Sequence, residues 1–269
     1  MLGAIIGDIV GSIYEFANIK TKDFELFQPE MERTDDSILC IATADWLLHG
    51  GEVSHYYSRY ALEYPYPMGG YGGMFKAWSS KVARQGIHEP YNSCGNGSAM
   101  RIAPVGWAFE TEREVLEATK VSASCTHNHP EGIKGAQATA LCIFLARQGH
   151  TASDIRARIE RDFGYDLSMS VKELQRRYSW QGIDGKGDGG ICQDSVPQAI
   201  ICALQAKDFE DAIRNAISIG GDSDTIGCIA GGIAEALYGI PESIKERAWK
   251  YLDETEGRTV RSFIQKYSI

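Results

Sequence analysis

The sequence predicts an all-α protein, and three observations support this prediction. Small and apolar residues recur with helical spacing in long runs, for example over 133–147 and 209–219. Strand-like alternation is scarce, and no linker or repeat with a period of about 20–50 residues divides the chain. At 269 residues, the chain is near the upper limit for one hydrophobic core. We therefore predict one compact domain over residues 1–269.

The first predicted helix lies at the N-terminus and carries glycine at positions 3, 7 and 11. Each glycine costs an isolated helix about 1 kcal/mol relative to alanine, so this spacing indicates a smooth face for close helix packing. Asp8 and Glu15 are two turns apart and would share one helical face. We expect Glu15, near the end of this helix, to project into a site; an ordinary surface glutamate is the alternative.

The second predicted helix begins with adjacent carboxylates. The segment Thr34-Asp35-Asp36-Ser37 precedes a mostly apolar run over 38–48. Adjacent aspartates repel each other, and burying either is costly unless a cation or a hydrogen-bond donor compensates. Ordinary N-capping, which needs only one of these side chains, is the alternative interpretation.

A similar acidic cluster precedes a helix predicted near the C-terminus. Asp222, Asp224 and Thr225 follow a glycine pair and lead into the small apolar run 228–237. Their hard oxygen atoms suit magnesium, manganese or calcium rather than zinc. If the two helix starts meet in the fold, they could share one or two cations, since two metals about 3.5–4 Å apart need this many oxygens. Two independent helix caps remain the alternative.

Capping patterns and periodicity predict the remaining elements. Thr111 and Glu114 form a capping box that opens a helix to about residue 123, and Thr151 opens another helix. Amphipathic helices are expected over 209–219 and 244–252, and glycine-rich loops over 68–74 and 182–190.

Three segments contain candidate ligand contacts. The loop 92–98 contains Gly95 and Gly97, which permit close backbone approach, and its free N–H groups favour phosphate. Tyr71 lies in a glycine-rich loop, where it could stack on a ligand or simply belong to a flexible surface loop. His127 is a candidate contact, although a hydrogen-bonded structural histidine is the commoner role.

Composition restricts the function classes. A net charge of −9 argues against broad nucleic-acid binding and against binding to anionic membranes. No apolar run approaches the roughly 18 residues that span a bilayer, and no secretion signal opens the chain. Seven scattered cysteines are typical of free thiols in a reducing compartment, so we expect a cytoplasmic protein.

Five motifs, in this order, resemble those of the ADP-ribosylglycohydrolases, a family related to dinitrogenase reductase-activating glycohydrolase. They span most of the chain: GDIVGSIYEF (7–16), TDDS (34–37), GNGSAMR (95–101), THNHPEGIKGAQA (126–138) and GGDSDTIG (220–227). The form of the first motif is closer to the branch that cleaves ADP-ribosyl-serine and O-acetyl-ADP-ribose than to the arginine-specific branch. The resemblance implies the compact, orthogonal helical fold of that family.

The resemblance also implies an activity and a set of site residues. It implies a magnesium-dependent hydrolase that cleaves the glycosidic bond at the distal ribose of ADP-ribosylated proteins or small molecules and releases ADP-ribose. Glu15 and Asp36 would be catalytic. Two Mg²⁺ ions, with Mn²⁺ as an alternative, would be held by Thr34, Asp35, Asp36, Asp222, Asp224 and Thr225. Substrate contacts would come from Tyr71, Ser93, Gly95, Asn96, Gly97, Ser98, Met100 and His127.

Two other functions stay open at this point. One is a catalytically silent ADP-ribose-binding protein, because the same residues could bind without turnover. The other is a magnesium-dependent phosphohydrolase built on the same oxygen ligands. That enzyme would release phosphate or a nucleotide instead of intact ADP-ribose, so product identity separates the possibilities. The leaving group is not specified by the sequence.

Overall fold

The computed structural model describes all residues, Met1–Ile269, and confirms the predicted all-α fold. The helices are α1 Leu2–Gly11, α2 Asp35–His49, α3 Val53–Glu63, α4 Gly73–Gln85, α5 Gly97–Met100, α6 Ala103–Ala108, α7 Glu112–Ser124, α8 Pro130–Arg147, α9 Ala152–Phe163, α10 Val171–Arg177, α11 Cys192–Leu204, α12 Phe209–Ser218, α13 Ser223–Tyr238, α14 Glu242–Ala248 and α15 Glu254–Tyr267. One 3₁₀ turn, Trp249–Tyr251, follows α14. The strands β1 Tyr178–Ser179 and β2 Gly182–Ile183 form a small antiparallel hairpin.

Helix α13 lies at the centre of the fold and packs most extensively against α1. The glycines of α1 make this contact possible. A Cβ atom at Gly7 would collide with the carbonyl group of Gly227, and one at Gly3 would collide with the carbonyl oxygen of Gly231. The predicted smooth face is therefore confirmed, with glycines on both helices that allow the two backbones to touch.

One continuous cluster of buried apolar side chains extends from Met1, directly before α1, to Phe263 on α15. It includes residues of α2, α8, α11 and α13, so the helices that carry the acidic motifs are anchored in the same core. No helix is both long and apolar enough to cross a membrane. All seven cysteines are free, as predicted.

Most predicted helix starts are confirmed by their caps. Thr111 caps α7 and Thr151 caps α9 through complete capping boxes. Thr34 caps α2, with its hydroxyl oxygen accepting from the Asp36 backbone N–H at 3.2 Å.

One prediction about α1 is wrong. The helix ends at Gly11, so Glu15 lies in a turn beyond it and not on a helical face shared with Asp8. Asp8 itself is completely buried within α1.

Candidate active site

A cavity of about 570 Å³ opens where the starts of α2, α5 and α13 converge. Its acidic end is formed by Glu15, Asp35, Asp36, Asp222 and Asp224. The other lining residues are Leu39, Gly69, Gly70, Tyr71, Gly72, Gly73, Met74, Phe75, Tyr91, Ser93, Gly95, Asn96, Gly97, Met100, Arg101, His127, Gly190 and Thr225. The volume is in the range typical of small-molecule sites.

The start of α2 is held by a carboxylate from another helix. Asp8 Oδ2 accepts hydrogen bonds from the backbone N–H groups of Thr34, at 3.1 Å, and Ser37, at 3.0 Å. The Thr34 hydroxyl donates to Asp8 Oδ1 at 2.6 Å. Asp8 therefore supplies acceptors for N–H groups that an isolated helix start leaves unpaired. This arrangement fixes the backbone that presents Asp35 and Asp36.

The start of α13 is held by the loop before α5. Asn96 Nδ2 donates to Asp222 Oδ2 at 2.6 Å, and the backbone N–H of Asn96 donates to the Gly190 carbonyl at 3.0 Å. The Asn96 amide nitrogen also donates to the Gly189 carbonyl at 3.4 Å, so the N–H donors of this residue are engaged by protein groups.

The acidic starts of α2 and α13 lie next to each other, which is the condition that the sequence analysis set for a shared cation site. Carboxylate oxygens of Asp8, Asp36 and Asp224 lie within 4.8 Å of one another, and so do those of Glu15, Asp222 and Asp224. Asp36 Oδ2 and Asp224 Oδ1 are buried without any hydrogen-bond partner. A buried carboxylate oxygen without a donor is costly, so this arrangement fits a cation ligand set.

The charges in this cluster oppose ionisation. Burial raises the pKa of Asp36 and of Asp224 well above the usual value, and neighbouring carboxylates raise both further. Burial, reinforced by the charges of Asp224 and Asp8, raises the pKa of Glu15 to about 8. Burial likewise raises the pKa of Asp222 to about 6. Without a cation, these acids therefore cannot all carry full charge at neutral pH.

Glu15 is covered by the glycine-rich loop that follows α3. Gly69 has φ of +76°, and a Cβ atom there would lie 2.7 Å from Glu15 Oε2. Gly69 thus permits both the turn and the close approach to the carboxylate. The isolated bridge between Thr34 and Met68 attaches this loop to the start of α2.

The loop 92–98 and His127 form one wall of the cavity. A Cβ atom at Gly97 would lie 3.1 Å from His127 Nε2, so this glycine allows the imidazole to pack on the loop. His127 Nδ1 lies 2.7 Å from Thr126 Oγ1. Burial, aided by the positive charge of Arg101, lowers the pKa of His127 well below its usual value. His127 is consequently neutral at physiological pH.

Most of the expected substrate residues line the cavity, but several of their polar groups are hydrogen-bonded to other protein groups. Ser93 Oγ accepts from the Gly95 backbone N–H at 3.0 Å. The Tyr71 hydroxyl donates to the Tyr64 carbonyl at 2.9 Å, which leaves its ring to form the wall. Ser98 differs from the expectation, because it is fully buried, its hydroxyl donates to the Gly132 carbonyl at 2.7 Å, and it does not line the cavity.

Thr34 does not line the cavity either, since it is buried beneath Asp35 and Asp36 as the N-cap. Its proton is directed to Asp8 and one lone pair accepts from Asp36 N–H, which leaves a second lone pair on its oxygen.

Sequence reasoning overlooked two residues of this site. Asp8 was noted only for its helical position, although its carboxylate anchors α2. Arg101 is fully buried, stacks at 4.0 Å over the Tyr57 ring, and donates to the Thr126 hydroxyl at 2.7 Å. The available signal was a charged residue beside apolar ones, Asp8 in the motif over 7–16 and Arg101 in the motif over 95–101.

Fold and cavity together define an all-α protein with a ligand cavity whose acidic groups can bind a metal ion. Comparisons with known proteins identify the class further. A model of the family described as ADP-ribosylglycohydrolase matches residues 1–267. Among solved structures, one titled "ADP-ribosylglycohydrolase-related protein complex" superimposes with a TM-score of 0.68 at 24% identity, covering 98% of this chain and 96% of that chain. This likeness shows the shared fold.

Relatives found by sequence similarity carry names that agree with this family. The human protein named ADP-ribosylhydrolase ARH3 is 29% identical, over 95% of this chain and 89% of its own length. A Pseudomonas putida (strain GB-1) protein named ADP-ribosylarginine hydrolase Tri1 is 26% identical, over 93% of this chain and 73% of its own length. The chain therefore belongs to the ADP-ribosylglycohydrolase family, and it is an enzyme that hydrolyses ADP-ribosyl bonds.

Proposed function

We propose that this enzyme is a magnesium-dependent hydrolase that cleaves the glycosidic bond at the distal ribose of ADP-ribosylated substrates and releases ADP-ribose. The observation that carries the proposal is the acidic end of the cavity, where two buried carboxylate oxygens, Asp36 Oδ2 and Asp224 Oδ1, have no partner. The whole chain would act as one domain, since its buried core is continuous from α1 to α15.

The ligand set fits two magnesium ions, with manganese as the alternative. Asp224 belongs to both of the three-carboxylate clusters described above. Every charge that raises the pKa of Asp35 or Asp36 comes from another carboxylate. Hard oxygen donors without thiolate or imidazole favour these metals. The ligands would be Thr34, Asp35, Asp36, Asp222, Asp224 and Thr225. When bound, the ions would supply the positive charge that this cluster lacks and would orient the ribose hydroxyls.

The residues of this chain can perform the proton transfers of glycoside hydrolysis. The bond between the anomeric carbon and the leaving atom breaks, and the oxygen of a water molecule bonds to that carbon. One water proton must be accepted and one proton must reach the leaving group. Glu15, which lines the cavity beside Asp222 and Asp224, is the candidate for both transfers. Asp36, which also lines the cavity, would help to stabilise the positive charge that develops on the ribose through its negative charge.

The remaining lining residues would hold ADP-ribose. Gly95 and Gly97 would leave room for the diphosphate to approach the loop, which is fixed by the Gly95 N–H bond to Ser93 Oγ and the Asn96 N–H bond to the Gly190 carbonyl. The ring of Tyr71 and the neutral imidazole of His127 would contact the flat groups of the ligand, and the Met100 side chain would add apolar contact from the same cavity. Ser98 would support the loop from behind, through Gly132.

Calorimetry with ADP-ribose tests this proposal. Wild-type protein should bind ADP-ribose more tightly with Mg²⁺ than with EDTA, and an Asp35→Ala/Asp224→Ala double variant should lose the magnesium dependence. Asp23→Asn, which removes an exposed carboxylate elsewhere, is the matched control. Equal binding in Mg²⁺ and EDTA would refute the metal assignment.

Chromatography of the reaction products provides the second part of the test. Intact ADP-ribose as the product is expected. Release of phosphate or AMP would favour the phosphohydrolase alternative, and binding without any turnover would favour a silent ADP-ribose-binding protein.

A further inference from the structure

A stacked aromatic pair, the exposed Phe16 and the half-buried Trp180, lies next to Glu15, which lines the cavity. The ring of Phe16 is stacked on that of Trp180, with centroids 6.4 Å apart and an angle of 4° between the planes. Phe16 is 77% exposed, which is unusual for a phenylalanine on a monomeric protein. We refer to Phe16 and Trp180 as the aromatic ledge.

Trp180 connects this ledge to the acidic end of the cavity. It belongs to the β1–β2 hairpin turn, and its Nε1–H donates to the Glu15 carbonyl at 2.8 Å. On its other side it packs on Gly189 and Gly190, and Gly190 lines the cavity. The ledge is therefore continuous with the cavity wall on both sides of Trp180.

The segment that carries Glu15 has few other supports, since it lies outside α1. Asn18 Nδ2 donates to the carbonyls of Tyr14, at 2.7 Å, and Gly221, at 2.9 Å, and its Oδ1 accepts from Gly221 N–H at 2.8 Å. This pairing attaches the segment to the residue before Asp222. Asn18 and Trp180 are thus the two side chains that hold the Glu15 backbone against the rest of the site.

The size of the cavity determines what the ledge can contact. A volume of about 570 Å³ suits one ligand of the size of ADP-ribose. In the proposed reaction, the bond that breaks lies beside Glu15, so the group attached to the anomeric carbon has to leave the cavity past Glu15. The aromatic ledge adjoins Glu15 there, through the chain link to Phe16 and the hydrogen bond from Trp180 to the Glu15 carbonyl.

We infer that the aromatic ledge contacts the polypeptide that carries the ADP-ribosyl group, and that Phe16 favours such substrates over ADP-ribose linked to a small group. This inference rests on the proposed function. An acetyl group or a similar small leaving group would end before the ledge, whereas the backbone and side chains flanking a modified residue would extend across it. Exposed aromatic rings that continue a binding site are typical contacts for peptides, because they offer a large apolar area at low entropic cost.

A binding experiment tests the aromatic ledge separately from the proposed function. In a Glu15→Gln background, which prevents turnover, the Kd values of free ADP-ribose and of peptides ADP-ribosylated at serine and at arginine are compared. Phe16→Ala should raise the Kd of a peptide conjugate about 3- to 10-fold more than that of ADP-ribose. Phe16→Tyr should restore peptide affinity, because it restores the ring. Val121→Ala, which alters an apolar side chain that is 55% exposed on α7, is the control and should change neither value.

The outcomes are distinguishable. Absence of ADP-ribose binding to the parent protein would remove the proposed function, and this inference with it. Normal ADP-ribose binding with peptide Kd values that Phe16→Ala leaves unchanged, or changes as much as that of ADP-ribose, would overturn the ledge alone.

Trp180 has a separate test as a positioning residue. Trp180→Phe, in the otherwise wild-type enzyme, keeps an aromatic ring beside Phe16 but removes the hydrogen bond to the Glu15 carbonyl. We expect kcat to fall about 5-fold with little change in KM for a peptide substrate, since one hydrogen bond that orients Glu15 is lost. An unchanged kcat would show that the hydrogen bond from Trp180 does not position Glu15.

Discussion

Replacing Asp222 with asparagine should stabilise the cation-free protein at neutral pH. Asp222 is only 7% exposed, and burial, with smaller contributions from the charges of Glu15 and Asp35, raises its pKa from 3.8 to about 6. A shift of about 2 units corresponds to about 3 kcal/mol of free energy. Asparagine removes the charge but keeps an oxygen that can accept the hydrogen bond now donated by Asn96 Nδ2.

The sign of the pH dependence follows from the raised pKa. The protonated carboxyl of Asp222 favours the folded state, so its contribution to stability is fully present below the unfolded pKa, near 4, and is lost as the pH rises through the folded pKa of about 6. The variant lacks this titration. Its gain in free energy of unfolding over wild type should therefore be small at about pH 4 and reach about 3 kcal/mol at pH 7 and above.

Urea unfolding in EDTA across this pH range measures the gain, with Asp23→Asn as the control for removing an exposed carboxylate. In thermal unfolding at pH 7, the midpoint should rise by about 6–12 °C. Magnesium added to the wild type should recover much of the same difference, because a bound cation compensates the same charges. A gain that is independent of pH, or an equal gain in Asp23→Asn, would refute the electrostatic reasoning.

Two further predictions follow from the site and from the helix contact. Glu15→Gln should lower kcat by about 10²-fold or more, as expected for loss of a general acid–base, while calorimetry should detect ADP-ribose affinity close to wild type; unchanged turnover would exclude Glu15 from catalysis. Gly7→Ala should reduce the free energy of unfolding by about 2 kcal/mol or more, because its Cβ would meet the rigid carbonyl of Gly227. Gly232→Ala, whose Cβ would find its nearest atom at 3.2 Å, should cost less in the same urea titration, and an equal cost at both positions would contradict the proposed backbone contact.

The helices of the site could be predicted from the sequence because their signals are local. Thr34 caps α2 through the N–H of Asp36, two residues along the chain, and Thr111 caps α7 through that of Glu114. The glycine spacing of α1 predicted a close helix neighbour, although it could not identify that neighbour as α13. The five ordered motifs led to the correct family, which the match over residues 1–267 confirms.

The roles of individual polar groups could not be predicted in the same way. Ser98 was expected to face a ligand, yet its hydroxyl donates to Gly132, 34 residues further along the chain. Glu15 was placed on a helix that ends at Gly11, because apolar periodicity continues beyond the point where the backbone turns. In each case, a partner distant in sequence determines where the group points.

The sequence by itself determined which residues begin the helices, which faces are smooth, and which carboxylates are available as hard oxygen ligands. Only the tertiary structure decided that α2 and α13 begin at the same place, that Asp8 supports Thr34 and Ser37, and that Trp180 holds the Glu15 carbonyl. The physical reason is the range of the interactions. Caps and periodicity act over a few residues of one chain segment, whereas charge repulsion, burial and tertiary hydrogen bonds depend on segments that the packed core alone brings together.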